Sequence, residues 1–333
     1  MLRIEELKEK MVRNYIRNIG DKVFGGEKIT FSEAKKLLEV DKNGLVDLMA
    51  VANRVRHRFC GDQVDLCTLL NAKSGRCSED CKFCGQSAHF QGDCSTYPLL
   101  DVEEIVRKSH EVESKGDRRF CIITSGKSLT HQDFNNVLEA ARRIRRETQL
   151  NLDCSLGILS DEQASALKEA GVERYNHNLE TAPSFFGKVC TTHSFSDRLE
   201  TLNRLKNNGF SICSGGIIGL GETPVQWLEL VFILRELEVD CIPINILNPR
   251  PGTPLENLLP PPPLEVIKLI AITRLIVPNG EIKLAGGREV NLKDFQATAF
   301  LAGVTGMIVG GYLTTKGRCE EDDCQMLKDL ELA

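Results

Sequence analysis

The sequence predicts an α/β protein in which a (β/α)8 barrel of the TIM type follows an N-terminal helical extension. After about residue 58, eight short apolar runs alternate with amphipathic helical stretches, and this alternation is typical of a parallel barrel. The length of 333 residues suffices for one barrel-type domain. No low-complexity linker divides the region. An incomplete barrel would give much the same pattern.

The chain divides into three predicted segments. Residues 1–58 form the helical extension, because their apolar positions follow helical spacing and Thr30-Phe-Ser-Glu33 has the pattern of a capping box. Residues 59–318 form the barrel, and residues 319–333 form a C-terminal tail. The extension carries no evident chemistry, so we expect the function to lie in the barrel.

The elements of the barrel are assigned from the periodicity of its apolar residues. Strands are predicted at Val64–Leu70, Arg119–Ile123, Leu150–Leu156, Val172–Asn176, Phe210–Gly215, Cys241–Leu247, Glu281–Ala285 and Met307–Gly311. Helices are predicted at Val102–Ser114, Gln132–Glu147, Asp161–Ala170, Ser196–Asn207, Pro224–Leu237, Leu264–Val277 and Leu292–Ala302.

Composition excludes two classes of partner. Hydrophobic residues make up 41% and charged residues 27% of the chain, as in ordinary globular proteins, and the net charge of −5 offers no basic field for nucleic acid. The longest apolar stretch, Ala297 to Leu313, is broken by glycines and does not resemble a membrane span. We therefore predict neither nucleic acid nor membrane as a partner.

Cysteine usage indicates metal or redox chemistry. The chain has 13 cysteines, and its N-terminus has acidic residues and lacks the apolar core of a secretory signal. An odd, cysteine-rich chain of this kind favours a metal or redox role over a disulfide framework. We expect a cytoplasmic protein.

Three of these cysteines lie in one short segment and are candidate metal ligands. Cys77, Cys81 and Cys84 form a Cys-x-x-x-Cys-x-x-Cys pattern, and thiolates are the ligands of iron–sulfur clusters. Three thiolates leave one iron of a [4Fe–4S] cluster without a protein ligand, free to bind and activate another molecule. The alternatives are three free thiols or a structural zinc site, which needs a fourth ligand such as Cys67, Cys94 or His89.

A second set of polar residues lies inside the predicted strands. Cys121, Cys154, Cys213 and Lys283 each interrupt an apolar run, where Val, Ile and Leu are expected. A buried lysine is costly unless an anionic group pairs with it. Three cysteines on separate strands, together with this lysine, favour a second metal cluster in the lumen.

The remaining strand cysteines are given a packing role. A single buried cysteine usually acts as a small hydrophobic residue, and we predict this for Cys60, Cys67 and Cys241. The glycines from Gly215 to Gly221 are predicted to let the backbone approach a ligand closely, although the pattern is a weak signal by itself.

Several polar residues are candidates for binding a small molecule. Asn176, Asn178 and Asn245 follow or interrupt strands. Glu180 could accept hydrogen bonds from ribose hydroxyls, and Arg198 could hold a carboxylate. The last two are equally consistent with solvated charges at helix ends.

With Phe83 just before the third cysteine, the cluster segment resembles the signature of the radical S-adenosylmethionine (SAM) superfamily. From about Thr30 to the C-terminus the chain resembles, within that superfamily, the biotin synthase family. The motifs that carry the resemblance are Asn71-Ala-Lys-Ser-Gly, Cys84-Gly-Gln-Ser, Tyr175-Asn-His-Asn-Leu-Glu-Thr, Cys213-Ser-Gly-Gly-Ile-Ile-Gly, Pro243-Ile-Asn, Gly252-Thr-Pro-Leu, Gly286-Gly-Arg-Glu and Tyr312-Leu-Thr-Thr.

The resemblance implies sulfur insertion into dethiobiotin by a homodimer of barrels, with an electron donor such as flavodoxin or ferredoxin. It implies that Cys77, Cys81 and Cys84 hold a [4Fe–4S] cluster to which SAM binds. The other residues that it implicates are Asn178, Glu180 and Arg198 for SAM, Cys121, Cys154 and Cys213 for an auxiliary iron–sulfur cluster, and Asn176, Asn245, Thr314 and Thr315 for dethiobiotin.

The chain departs from the family pattern at two places. Many members have arginine where this chain has Lys283, and lysine lacks the planar fork of arginine. Cys319 and Cys324 stand where the family is usually polar. Lys283 and Cys319 are therefore possible extra ligands. The auxiliary cluster is either [2Fe–2S] with altered ligation or of a [4Fe–4S] type, and we favour the second.

Two rival functions stay open from the sequence. One is another radical SAM enzyme of the same barrel family, of the hydrogenase-maturation or methylornithine-forming type. The other is a non-catalytic carrier of an iron–sulfur cluster. A SAM-binding titration separates the two classes, because a carrier has no need for an open iron.

Overall fold

Eight strand positions close into a parallel barrel in the computed structural model, which describes residues 2–332. The strand segments are β1 (Asp65–Lys73), β2 (Arg119–Thr124), β3 (Asn151–Ser155), β4 (Arg174–Asn176), β5 (Ser211–Cys213), β6 (Gly216–Ile218), β7 (Cys241–Ile246), β8 (Glu281–Leu284) and β9 (Gly306–Val309). The order around the ring is β5-β4-β3-β2-β1-β9-β8-β7-β6, and a β5–β7 pairing closes it. The predicted (β/α)8 fold is confirmed, and an incomplete barrel is excluded.

Helices pack around the outside of the barrel, and three further helices form the N-terminal extension. The extension contains α1 (Leu2–Phe24), α2 (Phe31–Leu37) and α3 (Lys42–Cys60). The others are α4 (Val102–Ser114), α5 (His131–Glu147), α6 (Asp161–Glu169), α7 (Pro183–Phe186), α8 (Phe195–Asn207), α9 (Pro224–Glu236), α10 (Pro263–Ile276), α11 (Arg288–Asn291), α12 (Gln296–Leu301) and α13 (Glu320–Asp329). A 3-10 turn at Lys293–Phe295 separates α11 from α12.

Side-chain caps fix where several helices begin. Thr30 and Glu33 form the predicted capping box at α2, and Ser160, Ser194 and Thr223 head similar boxes at α6, α8 and α9. Each box satisfies backbone N–H groups that a helix leaves unpaired in its first turn. In the extension, α3 packs against α1 and against α10 of the barrel.

The structure differs from the predicted elements at several places, two of them near the C-terminus. The predicted helix Leu292–Ala302 is divided between the 3-10 turn and α12, and the predicted tail contains α13. Among residues 2–332, no helix combines the length and the apolar character that crossing a bilayer requires.

Side chains on each strand alternate between the lumen and the helical layer. On β2, Arg119 points inward and contacts Asp153, while Phe120 and Ile122 pack in the hydrophobic core between strands and helices. Cys121 follows the inward set. This alternation decides which functional groups can meet inside the barrel.

The fifth strand position is split between β5 and β6 because glycines bring neighbouring backbones into contact. A Cβ on Gly215 would lie 2.1 Å from the Pro243 carbonyl oxygen, and one on Gly216 would lie 2.5 Å from the Glu180 carbonyl oxygen. No side chain fits at such distances. At these two glycines the space of a side chain is taken by neighbouring backbone, and the close approach of their backbone to a ligand stays a prediction.

A buried ion pair attaches α13 to the barrel. Arg288 and Asp323 are both fully buried and form a bidentate ion pair. Arg288 Nη1 lies 3.0 Å from Asp323 Oδ1. Arg288 Nε also donates to the Tyr312 hydroxyl at 2.9 Å. The helix and the segment that carries Tyr312 therefore depend on one guanidinium group.

We expect Asp323→Ala to lower the free energy of unfolding by about 3–5 kcal/mol, because it leaves the charge of Arg288 buried without its carboxylate. Asp322→Ala is the matched control, since Asp322 lies on the same helix but is exposed and should change stability by only about 0.5 kcal/mol. Urea unfolding of the two variants measures the difference. Equal losses would show that the pair does not hold the helix.

Candidate active site

One cavity of about 440 Å³ connects the end of the barrel with its interior. The segment after β1 contributes Cys77, Cys81 and Cys84 to its wall, and the interior contributes Cys213 and Lys283. Segments that follow barrel strands gather at the carboxyl end of the barrel, where TIM-barrel active sites lie. Thiols of the outer group and Cys213 of the predicted inner group therefore face a shared space.

Backbone hydrogen bonds give the cysteine segment its shape. The Cys77 N–H donates to the Gln86 carbonyl at 2.9 Å, and the Ala88 N–H donates to the Cys77 carbonyl at 2.8 Å. The Gln86 side chain accepts from the Gly75 N–H at 3.1 Å. The segment is thereby closed on itself, with all three thiols turned to the cavity wall.

A chain of side chains links this segment to the helix that carries Arg198. Glu79 Oε2 lies 2.6 Å from His193 Nδ1, and Arg198 Nε donates to His193 Nε2 at 2.9 Å. Arg198 Nη1 donates to the Asn178 carbonyl at 2.7 Å and lies 3.6 Å from Glu180 Oε1. Arg198 is therefore a held, half-buried group at the cavity and not a solvated charge.

Glu180 has the features of a binding group. Its backbone adopts φ of 68°, a left-handed conformation that is uncommon outside glycine. Among the described residues, its Oε2 atom is buried without a hydrogen-bond partner. Burial raises the pKa of its carboxyl despite the charge of Arg198. An unpaired acceptor in a cavity wall fits a ligand that donates hydroxyl groups, as a ribose does.

Four thiols from four strands meet at the inner end of the cavity. Cys67 of β1 and Cys213 of β5 line the cavity, with Cys121 of β2 and Cys241 of β7 beside them. Burial raises the pKa of Cys67 to about 12 and raises those of Cys121 and Cys241 as well. As neutral thiols these groups cost little to bury.

The prediction that Cys154 faces the lumen is corrected by the structure. Its neighbour Asp153 points inward to Arg119, so Cys154 points outward. Cys154 is paired in register with Ile122 and Tyr175 and lies in the hydrophobic core between strands and helices. The inward position on β3, where a ligand was expected, is therefore occupied by the Asp153 carboxylate. The Cys154 thiol is one residue further along the strand and faces the helical layer.

Cys67 and Cys241 are corrected in the opposite direction. The sequence analysis gives both a packing role, yet both lie beside Lys283 and the other inward thiols. The period of two on their strands was the signal that could have found them, because Cys67 stands two residues after Asp65, which is also inward.

A network of charges closes the lumen beneath the thiols. Arg119 lies 2.8 Å from Asp153 and 3.1 Å from Asp65. Lys283 Nζ lies 2.6 Å from Asp65 Oδ2 and 3.0 Å from Glu281 Oε1. Lys283 thus has two carboxylate partners, and it also faces the inner thiols Cys67 and Cys241, which together with this charge network form the floor of the cavity.

Electrostatic shifts in this network follow the local charges. Burial alone would raise the pKa of Asp65, but Lys283 and Arg119 outweigh it and lower the pKa to about 2. Burial raises the pKa of Asp153 to about 6 despite the nearby charges of Arg119 and Arg174. The floor therefore combines firmly ionised groups with one carboxyl that is close to neutralisation.

The predicted dethiobiotin-site residues surround the middle of the cavity. Asn176, Asn245, Thr314 and Thr315 all line it. Asn176 Nδ2 donates to Cys121 Sγ at 3.2 Å, while its Oδ1 is buried without a partner within residues 2–332. Asn245 Oδ1 accepts from the Gly286 N–H at 3.0 Å. Asn176 therefore stands between the inner thiols and the open space.

Cys319 and Cys324 lie outside this site. Cys319 is exposed at the start of α13, and Cys324 is half-buried on the same helix. Neither lines the cavity, since the neighbouring Glu320 is paired with Lys115 on the outer helical layer. The possible role of Cys319 as an auxiliary ligand is not supported by this geometry.

The sequence analysis missed Cys190, which lies beside Cys81. The hydrogen bond with Cys81 lowers the pKa of Cys190 to about 6 and raises that of Cys81. Cys190 comes from the segment after α7, 109 positions after Cys81 (190 − 81), so no local pattern could have connected the two. It was one unassigned cysteine of 13.

The donor sets fit the groups that the sequence resemblance implies. Cys77, Cys81 and Cys84 provide three thiols around one segment, as a cluster with one open iron requires. The four inner thiols, each on its own strand, provide a second set. Within residues 2–332 no three of these inner thiol sulfurs lie within 4.8 Å of one another, a wider spacing than a single-ion site.

Family models match most of the chain. The model of the Radical SAM superfamily matches residues 72–234, and that of the Biotin and Thiamin Synthesis associated domain matches residues 243–333. Biotin synthase from Geotalea uraniireducens is 47% identical over 97% of this chain and 98% of its own length. Biotin synthase from Clostridium acetobutylicum is 47% identical over 96% of this chain and 98% of its own length.

Solved structures of low identity share the fold. Methylornithine synthase aligns with a TM-score of 0.83 at 21% identity, covering 94% of this chain and 96% of that one. The FeFe-hydrogenase maturase from Carboxydothermus hydrogenoformans aligns with a TM-score of 0.81 at 19% identity, covering 99% of this chain and 82% of that one. At such identities the likeness concerns the barrel and not the reaction.

Substitutions of strand cysteines should separate inward thiols from outward ones. If an iron–sulfur cluster binds at the inner end of the cavity, as the resemblance implies, Cys67→Ser should lose its iron and sulfide, because an inward thiol is removed. Cys154→Ala should keep them, because its thiol lies in the apolar layer. Iron and sulfide analysis with Mössbauer spectroscopy on anaerobically purified protein measures both. Loss of the inner iron in Cys154→Ala but not in Cys67→Ser would refute this assignment.

Proposed function

The chain belongs to the biotin synthase family, and from this premise we propose that the residues of the shared cavity form biotin from dethiobiotin by sulfur insertion. The observation that carries the proposal is that one cavity is lined by thiols of both sets and by acceptor atoms of Glu180 and Asn176 that have no hydrogen-bond partner within residues 2–332. The C–H bonds of dethiobiotin that must react are not acidic, so acid–base catalysis cannot start the reaction, whereas a cofactor can.

Family membership implies a [4Fe–4S] cluster and SAM, for which this chain offers a fitting donor set. When bound, the [4Fe–4S] cluster with SAM supplies a deoxyadenosyl radical, and an inner iron–sulfur cluster supplies the sulfur. Cys77, Cys81 and Cys84 would hold the outer cluster. Glu180 would accept hydrogen bonds from the ribose, and Arg198, fixed by His193, would bind the SAM carboxylate.

We propose a revised ligand set for the inner cluster, namely Cys67, Cys121, Cys213 and Cys241. Four inward thiols on separate strands support it, and thiolates are the usual ligands of such clusters. Cys154 and Cys319 leave the set for the reasons given above. Within residues 2–332 no three of these sulfurs lie within 4.8 Å of one another, which favours a cluster over a single metal ion, and we retain the preference for a [4Fe–4S] type.

Lys283 is better suited to charge compensation than to ligation. Its Nζ is already bonded to Asp65 and Glu281, and ligation of iron by four thiols would add negative charge at the floor. The cations Lys283, Arg119 and Arg174 lie close enough to these thiols to offset that charge. A lysine in place of the family arginine can therefore serve the cluster without touching iron.

The middle of the cavity would hold dethiobiotin between the two clusters. The unpaired Asn176 Oδ1 is suited to accept an N–H from the ureido ring of the substrate. Asn245, Thr314 and Thr315 line the same space and offer further polar contacts. Burial of this space within the barrel keeps water away from reactive carbon centres.

Two partners complete the proposal. An electron donor of the cytoplasm, such as flavodoxin or ferredoxin, would reduce the outer cluster. A second copy of the chain would form a homodimer, for which the exposed Val290, Phe295 and Leu301 of the α11–α12 region offer apolar surface. Sedimentation analysis tests the dimer.

Two substitutions distinguish radical formation from sulfur delivery. Cys81→Ala should abolish the release of deoxyadenosine from SAM, because the outer cluster loses a ligand. Cys241→Ala should still release deoxyadenosine but form no biotin, because only the inner cluster is affected. Anaerobic assays with dethiobiotin, SAM and a reductant measure both products by chromatography.

Cys154→Ala is the matched control for both assays, since it removes a buried strand thiol outside the cavity and should retain both products. Undiminished deoxyadenosine from Cys81→Ala would rule out the outer site, and biotin from Cys241→Ala would rule out the inner one.

A further inference from the structure

Cys190 has no part in the proposed reaction, yet it faces a cluster ligand. It is 2% exposed and follows α7 in the segment that covers the cysteine loop. One ligand atom each of Cys81, Cys190 and His193 lies within 4.8 Å of the other two. Cys190 Sγ is 3.2 Å from His193 Nδ1. Two thiols and one imidazole therefore converge outside the three-cysteine pattern.

Two carboxylates border this group and complete its donor set. Asp80 Oδ1 lies 3.2 Å from Cys190 Sγ, and Glu79 Oε2 lies 2.6 Å from His193 Nδ1. The side chains of His193 and Glu79 are 4% and 9% exposed, so this is a buried cluster and not a set of surface acids. Sulfur, imidazole nitrogen and carboxylate oxygen are the donors of tetrahedral zinc sites.

Hydrogen bonds from neighbouring residues orient the carboxylate and the imidazole of this group. The Thr191 and Thr192 N–H groups donate to Asp80 Oδ1 at 2.8 and 3.1 Å. Arg198 donates to His193 Nε2, so the imidazole proton lies on Nδ1, which faces Cys190 and Glu79. Binding of an ion through Nδ1 releases this proton. The donors are thus oriented before any ion arrives, as second-shell contacts orient metal ligands.

We propose that the chain without its outer cluster binds one thiophilic divalent metal ion, such as Zn²⁺ or Fe²⁺, through Cys81, Cys190 and His193, with Asp80 or Glu79 as the fourth donor. Since Cys81 would also be a ligand of the outer cluster, the single ion and that cluster exclude each other. This exclusion rests on the proposed function, whereas the single-ion site does not. The ion must leave before the cluster can form.

Cobalt titration of the cluster-free, reduced, full-length chain tests the site, because tetrahedral Co²⁺ with thiolate ligands absorbs strongly in the visible and near-ultraviolet range. We expect one equivalent to bind to the unaltered chain and to Cys77→Ala. We expect Cys190→Ser to bind cobalt at least about 100-fold more weakly, since removing a ligand costs at least as much as disturbing a second-shell contact. Circular dichroism verifies that each variant is folded.

Cluster reconstitution gives the complementary result. Cys190→Ser should still assemble the outer cluster, whereas Cys77→Ala should not, and the cluster-loaded chain should bind no cobalt with this spectrum. Cobalt binding that survives Cys190→Ser but is lost in Cys77→Ala would locate the ion among the three loop cysteines and overturn the proposal. Cobalt binding beside an intact cluster would instead overturn the shared role of Cys81 and leave the single-ion site standing.

Discussion

Alternation of side chains along the barrel strands is the constraint on which the inner site depends. Each strand can send only every second residue into the lumen, so a thiol that is displaced by one position is lost to the helical layer. On β3 this rule brings Asp153 inward and turns Cys154 outward. On β1 and β7 it brings Cys67 and Cys241 to the floor of the cavity. Whether a cysteine can bind an inner cluster therefore depends on its position in the alternation of the strand as well as on its being a cysteine.

The same constraint explains which parts of the fold and of the site could be predicted from the sequence. Strands and helices could be assigned because periodicity and capping residues mark them locally, and the outer cysteine motif could be recognised because its spacing is short. The phase of the buried strands was harder to assign, since most of their residues are apolar on both faces. On β1 the polar residue Asp65, two positions before Cys67, was the signal that could have set it. Cys190 was hidden for another reason, because only the folded chain brings it to Cys81.

The inner site joins two requirements that oppose each other in a protein core. Thiolate ligands add negative charge, and charge is costly to bury unless it is compensated. Below the thiols, the cations Arg119, Arg174 and Lys283 are paired with Asp65, Asp153 and Glu281. Asp153, with its pKa of about 6, is the member of this network that a change in nearby charge would most easily neutralise. The charges at the inner end of the cavity are therefore balanced by ion pairs within the barrel.

The guanidinium of Arg288 connects the last helix to the wall of the cavity. It holds Asp323 of α13 and the hydroxyl of Tyr312, and Tyr312 lines the cavity beside Thr314 and Thr315. A chain cut before α13 would lose Asp323 and leave the charge of Arg288 buried beside Tyr312 and Gln296. Protein engineering that shortens this scaffold should therefore spare its carboxyl-terminal helix.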